Sequence, residues 1–182
     1  HVEAVGKRML ARHVASNDGR PYEGTLSDFR PGWMATFEPK TDEANPDRSE
    51  IEDLAAALTA PDDQLLARLA PLLDVDRFIN FWAMETLIEH WDGYANNQNN
   101  FFVYHDPSSG QMNFIPWGID ALFSGRERTT RPYSVFACGS LPWRLYAAPA
   151  TRAMYLAALR DVLDTVWDGP AIVAEIDRFQ AL

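Results

Sequence analysis

The stretch that decides the fold runs from His90 to Asp120 and reads HWDGYANNQNNFFVYHDPSSGQMNFIPWGID. It follows a helical pattern that begins near Val75 and is apolar around most of its circumference, which indicates a central, buried helix ending at His90. After Asn100 the pattern changes to strand, turn and strand, with the turn at residues 106–110. The polar run between the helix and the first strand costs conformational entropy to order, so we expect it to bind something.

Outside this hairpin the sequence predicts helices and irregular segments, so the fold class is α+β and mainly helical. Ser49 with Glu52 three residues later has the spacing of a capping box, and Pro61 followed by two aspartates is typical of a helix start. Proline, glycine and interleaved aromatic residues in the segment 20–47 indicate an ordered but irregular loop. The remaining segments are predicted to be helical within 1–15 and at about 150–167 and 169–181, and irregular at 124–149.

The composition limits the class of protein. The 182 residues, of which 47% are hydrophobic and 12% aromatic, suit one domain with a substantial core. A formal net charge of -10 argues against nucleic acid or an anionic membrane as the main partner, because both require clustered Lys and Arg. Cys138 is the only cysteine, so neither an intrachain disulfide nor a cysteine-based zinc site can form. No apolar run approaches the roughly 20 residues of a membrane span.

His90, Asp92 and Asn97 have the spacing of the catalytic loop of protein kinases. That loop reads His-Arg-Asp-x-x-x-x-Asn; its Asp accepts the proton of the substrate hydroxyl and its Asn helps to hold a metal ion. Asp92 is therefore the candidate base, and Trp91 stands where that loop has arginine. By spacing the metal-binding amide is Asn97, whereas by position directly before the strand it is Asn100. We prefer Asn100, because adjacency to the strand sets its geometry while a loop absorbs inserted residues.

Asp120 is the candidate metal-binding carboxylate, because the second strand of the hairpin leads directly to it. Mg²⁺ or Mn²⁺ prefers hard oxygen ligands such as a carboxylate and an amide carbonyl, and leaves room for phosphate oxygens and water. Such a site would act by positioning and by neutralising charge. Lys7, Arg8 and Lys40 are the cations available for the phosphates of ATP, and we choose Lys40 for its aromatic-rich loop.

These motifs resemble the CotH kinase family, whose pattern is an Asp-Gly run, an Asn before an aromatic strand, and then Pro-Trp-Asp-x-Asp. The matching segments are HWDG at 90–93, NFFVY at 100–104 and FIPWGID at 114–120, with weaker likeness in YEGTLSDF at 22–29, EPKT at 38–41 and LPWRL at 141–145. The resemblance implies an atypical protein-kinase-like fold, with helices of a C-terminal lobe around the hairpin. It implies ATP, Mg²⁺ or Mn²⁺, and phosphorylation of Ser or Thr in a protein substrate. It also implies spore-coat or other surface proteins as substrates, and an extracellular or cell-surface location.

Two departures from the family pattern affect these expectations. Gly118 stands where the family has the first Asp of Pro-Trp-Asp-x-Asp, so one metal-site carboxylate is absent. The chain also has no Gly-x-Gly-x-x-Gly loop and no strand with a Val-Ala-Ile-Lys-like lysine, and it starts at His1 without a signal-peptide pattern. We therefore expect one partial kinase domain over 1–182. In it, residues 1–47 would be a remnant of the N-terminal lobe or a connecting loop, and 48–182 the helical lobe.

Two other functions fit the same residues. One is a catalytically weakened, pseudokinase-like binding or scaffold module of a surface or secreted protein, and Gly118 is the feature that discriminates it from an active enzyme. The other, weaker interpretation is a metal-dependent hydrolase built on Asp92 and Asp120.

Other polar residues near the motif are better explained as structural. Glu85 and Glu89, four residues apart on the central helix, have the spacing of an acid–base pair, but such a pair is more typical of a helix face that reaches solvent or a cation. His90, beside a buried helix end, is expected to hydrogen-bond the loop backbone and to hold Asp92 in place. The four histidines show no metal-ligand spacing, which makes a zinc hydrolase improbable.

Overall fold

The computed structural model describes residues 3–44, 46–123 and 135–181. The strands within these ranges are Arg20–Gly24 (β1), Phe37–Pro39 (β2), Phe101–Asp106 (β3) and Gln111–Pro116 (β4). The α-helices within them are Lys7–His13 (α1), Ser49–Ala57 (α2), Leu65–Leu69 (α3), Val75–Leu87 (α4), Tyr94–Asn97 (α5), Ser140–Ala147 (α6), Pro149–Thr165 (α7) and Gly169–Gln180 (α8). Short 3-10 turns are formed by Met34–Thr36 and Ile119–Ala121.

The four strands form one antiparallel sheet in the order β2-β1-β3-β4. Gly24 of β1 pairs with Phe101 of β3, and Phe101 pairs with Pro116 of β4. Phe37 of β2 lies opposite Gly24 on the other side. All four strands therefore have an end at the same end of the sheet, where the chain enters β3 from the polar loop and leaves β4 toward Asp120.

Two strands lie where the sequence predicted an irregular loop. The prediction of a single hairpin was wrong, because β1 and β2 both belong to the segment 20–47. Pro21 and Gly24 lie within β1, and both residue types are depleted in strands. β1 is stabilised by pairing with β3, far away in sequence, so its local pattern carries little signal. The pairing of β1 with β3 also joins residues on the two sides of position 47, where the sequence analysis divided the domain into two parts. That division stays a prediction.

The helices follow the prediction with shifted ends. α4 ends at Leu87, three residues before the predicted end. Ser49 is the first residue of α2 rather than its cap, and the Asp47 carboxylate accepts the Ser49 N–H at 3.0 Å instead. α3 begins at Leu65, after a turn that follows Pro61. α6 was missed, because Pro142 lies in its first turn, where proline is tolerated; residues 124–134 of that predicted irregular segment lie outside the described residues.

The sheet is covered on both faces next to the polar loop. Phe101 and Val103 of β3 belong to the main core, together with Phe78 of α4. Phe102 belongs to a smaller cluster with Leu10 of α1, because alternate residues of a strand point to opposite faces. The end of β3 that follows the polar loop is therefore held from both sides.

Trp82 anchors α4 to the C-terminal helices. Its side chain is fully buried and stacks on Tyr155 of α7, with ring centroids 3.7 Å apart. Its indole N–H donates to the carbonyl oxygen of Phe136 at 2.5 Å. The position of α4 matters for function, because the loop that carries Asp92 begins at its C-terminal end.

Candidate functional site

The polar loop between α4 and β3 has a strained backbone on both sides of Asp92. Glu89 has φ +51°, Gln98 has φ +53° and Asn100 has φ +49°. A non-glycine residue in this left-handed region costs roughly 1–2 kcal/mol, and such strain concentrates at functional sites. The single turn of α5 lies between these residues, so the loop is a compact structure and not a solvated tail.

Three asparagine side chains surround the carboxylate of Asp92. Asn97 donates its amide N–H to Oδ1 at 2.7 Å, and Asn100 donates to Oδ2 at 2.8 Å. Asn99 lies 3.3 Å from each of the two oxygens. Because the amide nitrogens face Asp92, the carboxamide oxygens of Asn97 and Asn100 point away from it, where a hard cation could bind them. The structure thus brings together the predicted base and both predicted metal-binding amides.

Gly118 contacts the Asn100 carboxamide at the end of β4. It has φ +56°, and a Cβ added to it would lie 2.6 Å from the Asn100 Cγ. The Trp117 N–H donates to the Asn100 carbonyl oxygen at 3.2 Å, which ties the start of β3 to the segment after β4. Asp120 is exposed, and its Cα lies at most about 7 Å from that of Gly118 along the chain. Asp120 therefore lies close to Asn100, two residues along the chain from the Gly118 contact.

Asp120 also lines an open cleft of about 770 Å³ beside the N-terminal segment. Trp117, Gly118 and Ile119 line the same cleft, together with Val5 from before α1. Asp92 is not among its lining residues. Asp92 and Asp120 therefore do not line the same cleft. Asn100 lies between them, because it donates to Asp92 and contacts Gly118, two residues before Asp120.

Lys40 is not brought to the Asp92 loop. It follows β2, and its backbone N–H bonds to the carbonyl of Pro21, roughly 10 Å along β1 from the Gly24 end of the sheet. Its ammonium lies 2.5 Å from a Glu23 oxygen and 3.2 Å from a Glu38 oxygen. The hydrogen bond to Glu23, with Glu38 assisting, raises the pKa of Lys40. Its charge is already matched, so the geometry gives no support to a phosphate contact.

Glu85 is buried beneath the loop and does not form a solvent-facing pair with Glu89. Its side chain is 1% exposed, and its two carboxylate oxygens accept the backbone N–H groups of Tyr94 at 3.1 Å and Ala95 at 2.8 Å. Burial raises the pKa of Glu85, while these hydrogen bonds oppose the shift. Gly93 is required here, because a Cβ on it would lie 2.3 Å from Oε1 of Glu85.

His90 is buried beside the end of α4, as the sequence indicated, but within the described residues its ring does not make the expected hydrogen bond to the loop backbone. Its backbone N–H donates to the Glu85 carbonyl at 2.9 Å, and its carbonyl accepts the Gly93 N–H at 3.0 Å. The imidazole is 1% exposed, and Nδ1 lies 3.4 Å from Oε1 of Glu85. Neither ring nitrogen makes a hydrogen bond within the described residues. The backbone of His90, rather than its ring, holds the loop.

Asp28 supports the loop from the segment after β1, and the sequence did not single it out. Its carboxylate accepts the Tyr94 hydroxyl at 3.0 Å, and the N–H and hydroxyl of Ser140 at 3.0 and 2.6 Å. Burial, together with the Asp28 charge, raises the pKa of Tyr94 well above its usual value. Next to Asp28, Ser27 donates its N–H to the Gln98 carbonyl at 2.8 Å. The only signal in the sequence was the family likeness of residues 22–29.

A hard divalent cation near Asn100 would need oxygen ligands from the surrounding side chains. Within the described residues, no group of three or more His, Cys, Asp or Glu side chains is placed to hold a metal ion. The available ligands are the Asp120 carboxylate and the carboxamide oxygens of Asn97 and Asn100. Oxygen ligands with a single negative charge leave several positions open, which suits Mg²⁺ or Mn²⁺ with phosphate oxygens and water.

Among residues 3–44, 46–123 and 135–181, no helix is both long and apolar enough to cross a bilayer.

Comparisons with known proteins identify the family. The family model described as CotH kinase protein matches residues 1–182. Invasin CotH7 of Rhizopus delemar is 28% identical over 132 residues, which cover 67% of this chain and 22% of that protein. Invasin CotH2 of the same organism is 32% identical over 103 residues, covering 52% of this chain and 17% of the relative. Spore coat protein homolog 1, also from Rhizopus delemar, is 26% identical over 161 residues, which cover 79% of this chain and 26% of that protein.

The chain therefore spans about a quarter or less of the length of these curated relatives. The predicted family is confirmed by the match over the whole chain. The fold is confirmed at the level of α+β, with helices around a four-stranded antiparallel sheet.

Proposed function

Since the chain belongs to the CotH kinase protein family, we propose that it transfers the γ-phosphoryl group of ATP to a Ser or Thr hydroxyl of a protein, with a divalent metal ion. The carboxylate of Asp92 carries this proposal. It is oriented by amide hydrogen bonds of 2.7 and 2.8 Å at the start of β3, where Phe101 and Phe102 are buried on opposite faces of the sheet. Phosphoryl transfer depends on positioning and charge neutralisation, and a base held in this way suits it.

In the proposed reaction the acceptor oxygen bonds to the γ-phosphorus while the bond from that phosphorus to the β–γ bridging oxygen breaks. ADP keeps the electron pair of the broken bond, and the acceptor proton passes to a carboxylate oxygen of Asp92. Asn97 and Asn100 keep this carboxylate in one orientation. A bound Mg²⁺ or Mn²⁺ neutralises phosphate charge, and Asp120 with the oxygens of these two amides would hold it.

Gly118 is the observation that keeps a second function under consideration. The site has one carboxylate fewer than the family pattern that the sequence resembles, and fewer charged ligands weaken the binding of a divalent ion. A pseudokinase-like module that binds nucleotide without transferring phosphate is therefore the alternative. A hydrolase built on Asp92 and Asp120 is the third candidate, and it would release phosphate without labelling an acceptor.

The acceptor is proposed to be a surface or spore-coat protein. This part of the proposal is supported by the names of the relatives, two invasins and a spore coat protein homolog. An extracellular or cell-surface location is proposed on the same ground.

The test is phosphate transfer by the full-length protein from γ-labelled ATP, with Mg²⁺ or Mn²⁺ and a dephosphorylated casein as acceptor. Asp92→Asn removes the base and should lower kcat by at least about 100-fold, the range of a general base. Asp120→Asn should raise the metal concentration needed for half-maximal rate. Asp63→Asn, which changes an exposed aspartate in the turn before α3, is the matched control and should behave as the wild type.

Three outcomes separate the candidates. Equal label transfer by Asp92→Asn and Asp63→Asn would overturn the assignment of the base. A thermal shift with ATP and metal, but no label on any acceptor, would identify the pseudokinase-like module. Free phosphate released in proportion to ATP consumed, again without label on protein, would identify the hydrolase.

A further inference from the structure

α5 is a single helical turn that is not capped by its own sequence. Its N-cap residue is Gly93, which has no side chain, so the first backbone N–H groups of the turn need partners from elsewhere. A four-residue helix is not stable by itself, because nucleation is unfavourable and one turn makes few hydrogen bonds. The geometry of α5 must therefore be imposed by the residues that pack on it.

Glu85 supplies this cap from the neighbouring helix α4. Oε1 accepts the Tyr94 N–H at 3.1 Å and Oε2 accepts the Ala95 N–H at 2.8 Å, so both oxygens of one buried carboxylate are used. Gly93 makes the approach possible, because a Cβ there would lie 2.3 Å from Oε1. The Glu85 backbone carbonyl also accepts the His90 N–H at 2.9 Å, so one residue binds the backbone on both sides of Asp92.

α5 in turn carries the side chain that orients Asp92. Asn97 is the last residue of the turn, and it donates to Oδ1 of Asp92 at 2.7 Å. Its backbone N–H bonds to the Gly93 carbonyl at 2.9 Å, which makes its position depend directly on the turn. The chain of contacts runs from Glu85 through the backbone of α5 to Asn97 and then to Asp92.

We propose that Glu85 is a positioning residue for Asp92, acting through α5 and Asn97. The kinetic part of this inference rests on the proposed function, whereas its structural part does not. Loss of a residue that orients a metal ligand through a hydrogen bond typically lowers activity by about 10- to 100-fold, and we expect a loss of the same order for Glu85. In α5, Glu85 contacts only backbone N–H groups, and its other polar neighbour is the buried His90 ring, whose Nδ1 lies 3.4 Å from Oε1. Its loss should therefore lower kcat and leave the KM for ATP within about threefold.

The variant to use is Glu85→Gln, which keeps the shape of the side chain and replaces one acceptor oxygen with an N–H donor. Asp106→Asn is the matched control. Asp106 is also a buried carboxylate that accepts backbone N–H groups, from Ala15 at 3.2 Å and Ser108 at 2.8 Å, but it lies at the opposite end of β3.

The structural readout is NMR of the full-length protein without ATP. In the wild type the Asn97 side-chain amide and the Tyr94 and Ala95 backbone amides should exchange slowly with solvent. Glu85→Gln should speed the exchange of all of them, whereas Asp106→Asn should leave them unchanged. Unchanged Asn97 exchange in folded Glu85→Gln would overturn the proposal.

The kinetic readout is a double-mutant cycle with Asn97→Ala, because residues that act through one another give non-additive losses. Glu85→Gln should lower kcat by about 10-fold or more in the wild type, and by less than about threefold when Asn97→Ala is already present. Asp106→Asn should change kcat by the same factor whether or not Asn97→Ala is present. Additive losses for Glu85→Gln and Asn97→Ala would show that Glu85 only stabilises the fold and would overturn the positioning role. If the wild type transfers no phosphate, the proposed function fails, while the exchange of Asn97 still decides the role of Glu85.

Discussion

Asn100 and Gly118 contact each other where β3 begins and β4 ends. Both have positive φ, +49° and +56°, and asparagine and glycine are residues that tolerate this conformation. The Asn100 carboxamide occupies the space where a side chain at position 118 would start, with its Oδ1 and Nδ2 both 2.8 Å from the added Cβ. In this chain a side chain at position 118 would therefore collide with the Asn100 carboxamide.

Gly118→Asp should not simply restore a metal site. We expect it to lower the free energy of unfolding by about 1–3 kcal/mol, because the new Cβ overlaps the Asn100 amide and the backbone has positive φ. Gly32→Asp is the control. Gly32 has φ +86°, and a Cβ added to it would have no atom within 4 Å, so this variant measures the cost of the positive φ alone. Urea denaturation of both variants measures the difference. Equal losses would show that the Asn100 side chain moves aside without penalty.

Asp106 makes the stability of the protein depend on pH. Burial raises its pKa, but hydrogen bonds from the hydroxyl and backbone N–H of Ser108, assisted by Ala15, outweigh burial and hold the pKa below the ordinary 3.8. A lowered pKa contributes stability above the unfolded value, and that stability is lost as pH falls through the folded value. Asp106→Asn should therefore cost about 1–3 kcal/mol at pH 7, and less as pH falls below about 3.8. Unfolding in urea between pH 3 and 7 tests this, and a difference that is constant with pH would contradict it.

The connection between α4 and α5 is the element on which the site depends. The chain leaves α4, turns at Glu89 and returns so closely that Gly93 lies against the Glu85 carboxylate. A Cβ on Gly93 would also lie 2.6 Å from Nδ1 of His90. Neither neighbour can withdraw easily, because the Glu85 oxygens are bonded to Tyr94 and Ala95 and the His90 ring is buried.

Gly93→Ala should destabilise the protein by about 1–3 kcal/mol through overpacking, although the φ of Gly93 is an ordinary −81°. Gly169→Ala is the matched control, because nothing lies within 4 Å of its added Cβ and Gly169 begins α8. That control should be neutral or stabilising by up to about 1 kcal/mol. Thermal and urea unfolding compare the two variants, and a neutral Gly93→Ala would mean that the close approach is not required.

At the scale of the whole molecule, the C-terminal helix contributes little to the core. No residue of α8 is buried, and Ile176 and Phe179 are 51% and 62% exposed. In contrast, Leu145 of α6 is completely buried in the main core. The core that holds the sheet and the Asp92 loop is therefore built from elements before α8.

Substitutions on α8 should leave the stability of the rest nearly unchanged. Ile176→Ser and Phe179→Ser are each expected to change the free energy of unfolding by less than about 0.5 kcal/mol, whereas Leu145→Ala should cost about 2–5 kcal/mol. Urea denaturation at low protein concentration measures all three. A loss of more than about 1 kcal/mol for either serine variant would contradict the independence of α8.

The predictions made from the sequence succeeded where neighbours in the chain are also neighbours in space. Asp92, Asn97 and Asn100 lie within nine consecutive residues, so their spacing was enough to predict that they meet. The hairpin β3–β4 was correct for the same reason. Lys40 was chosen by its loop composition alone, and the strand pairing that places it beside Glu23 and Glu38 had no local signal.

By itself the sequence determined the family, the buried central helix and the group of polar residues around Asp92. Only the tertiary structure decided what holds that group: Glu85 beneath α5, Asp28 behind Tyr94, and the contact between Asn100 and Gly118. The physical reason is that a buried polar group must find its hydrogen-bond partner wherever the fold brings one within about 3 Å. The periodicity of a single segment reports which face it buries, but not which distant side chain will face it there.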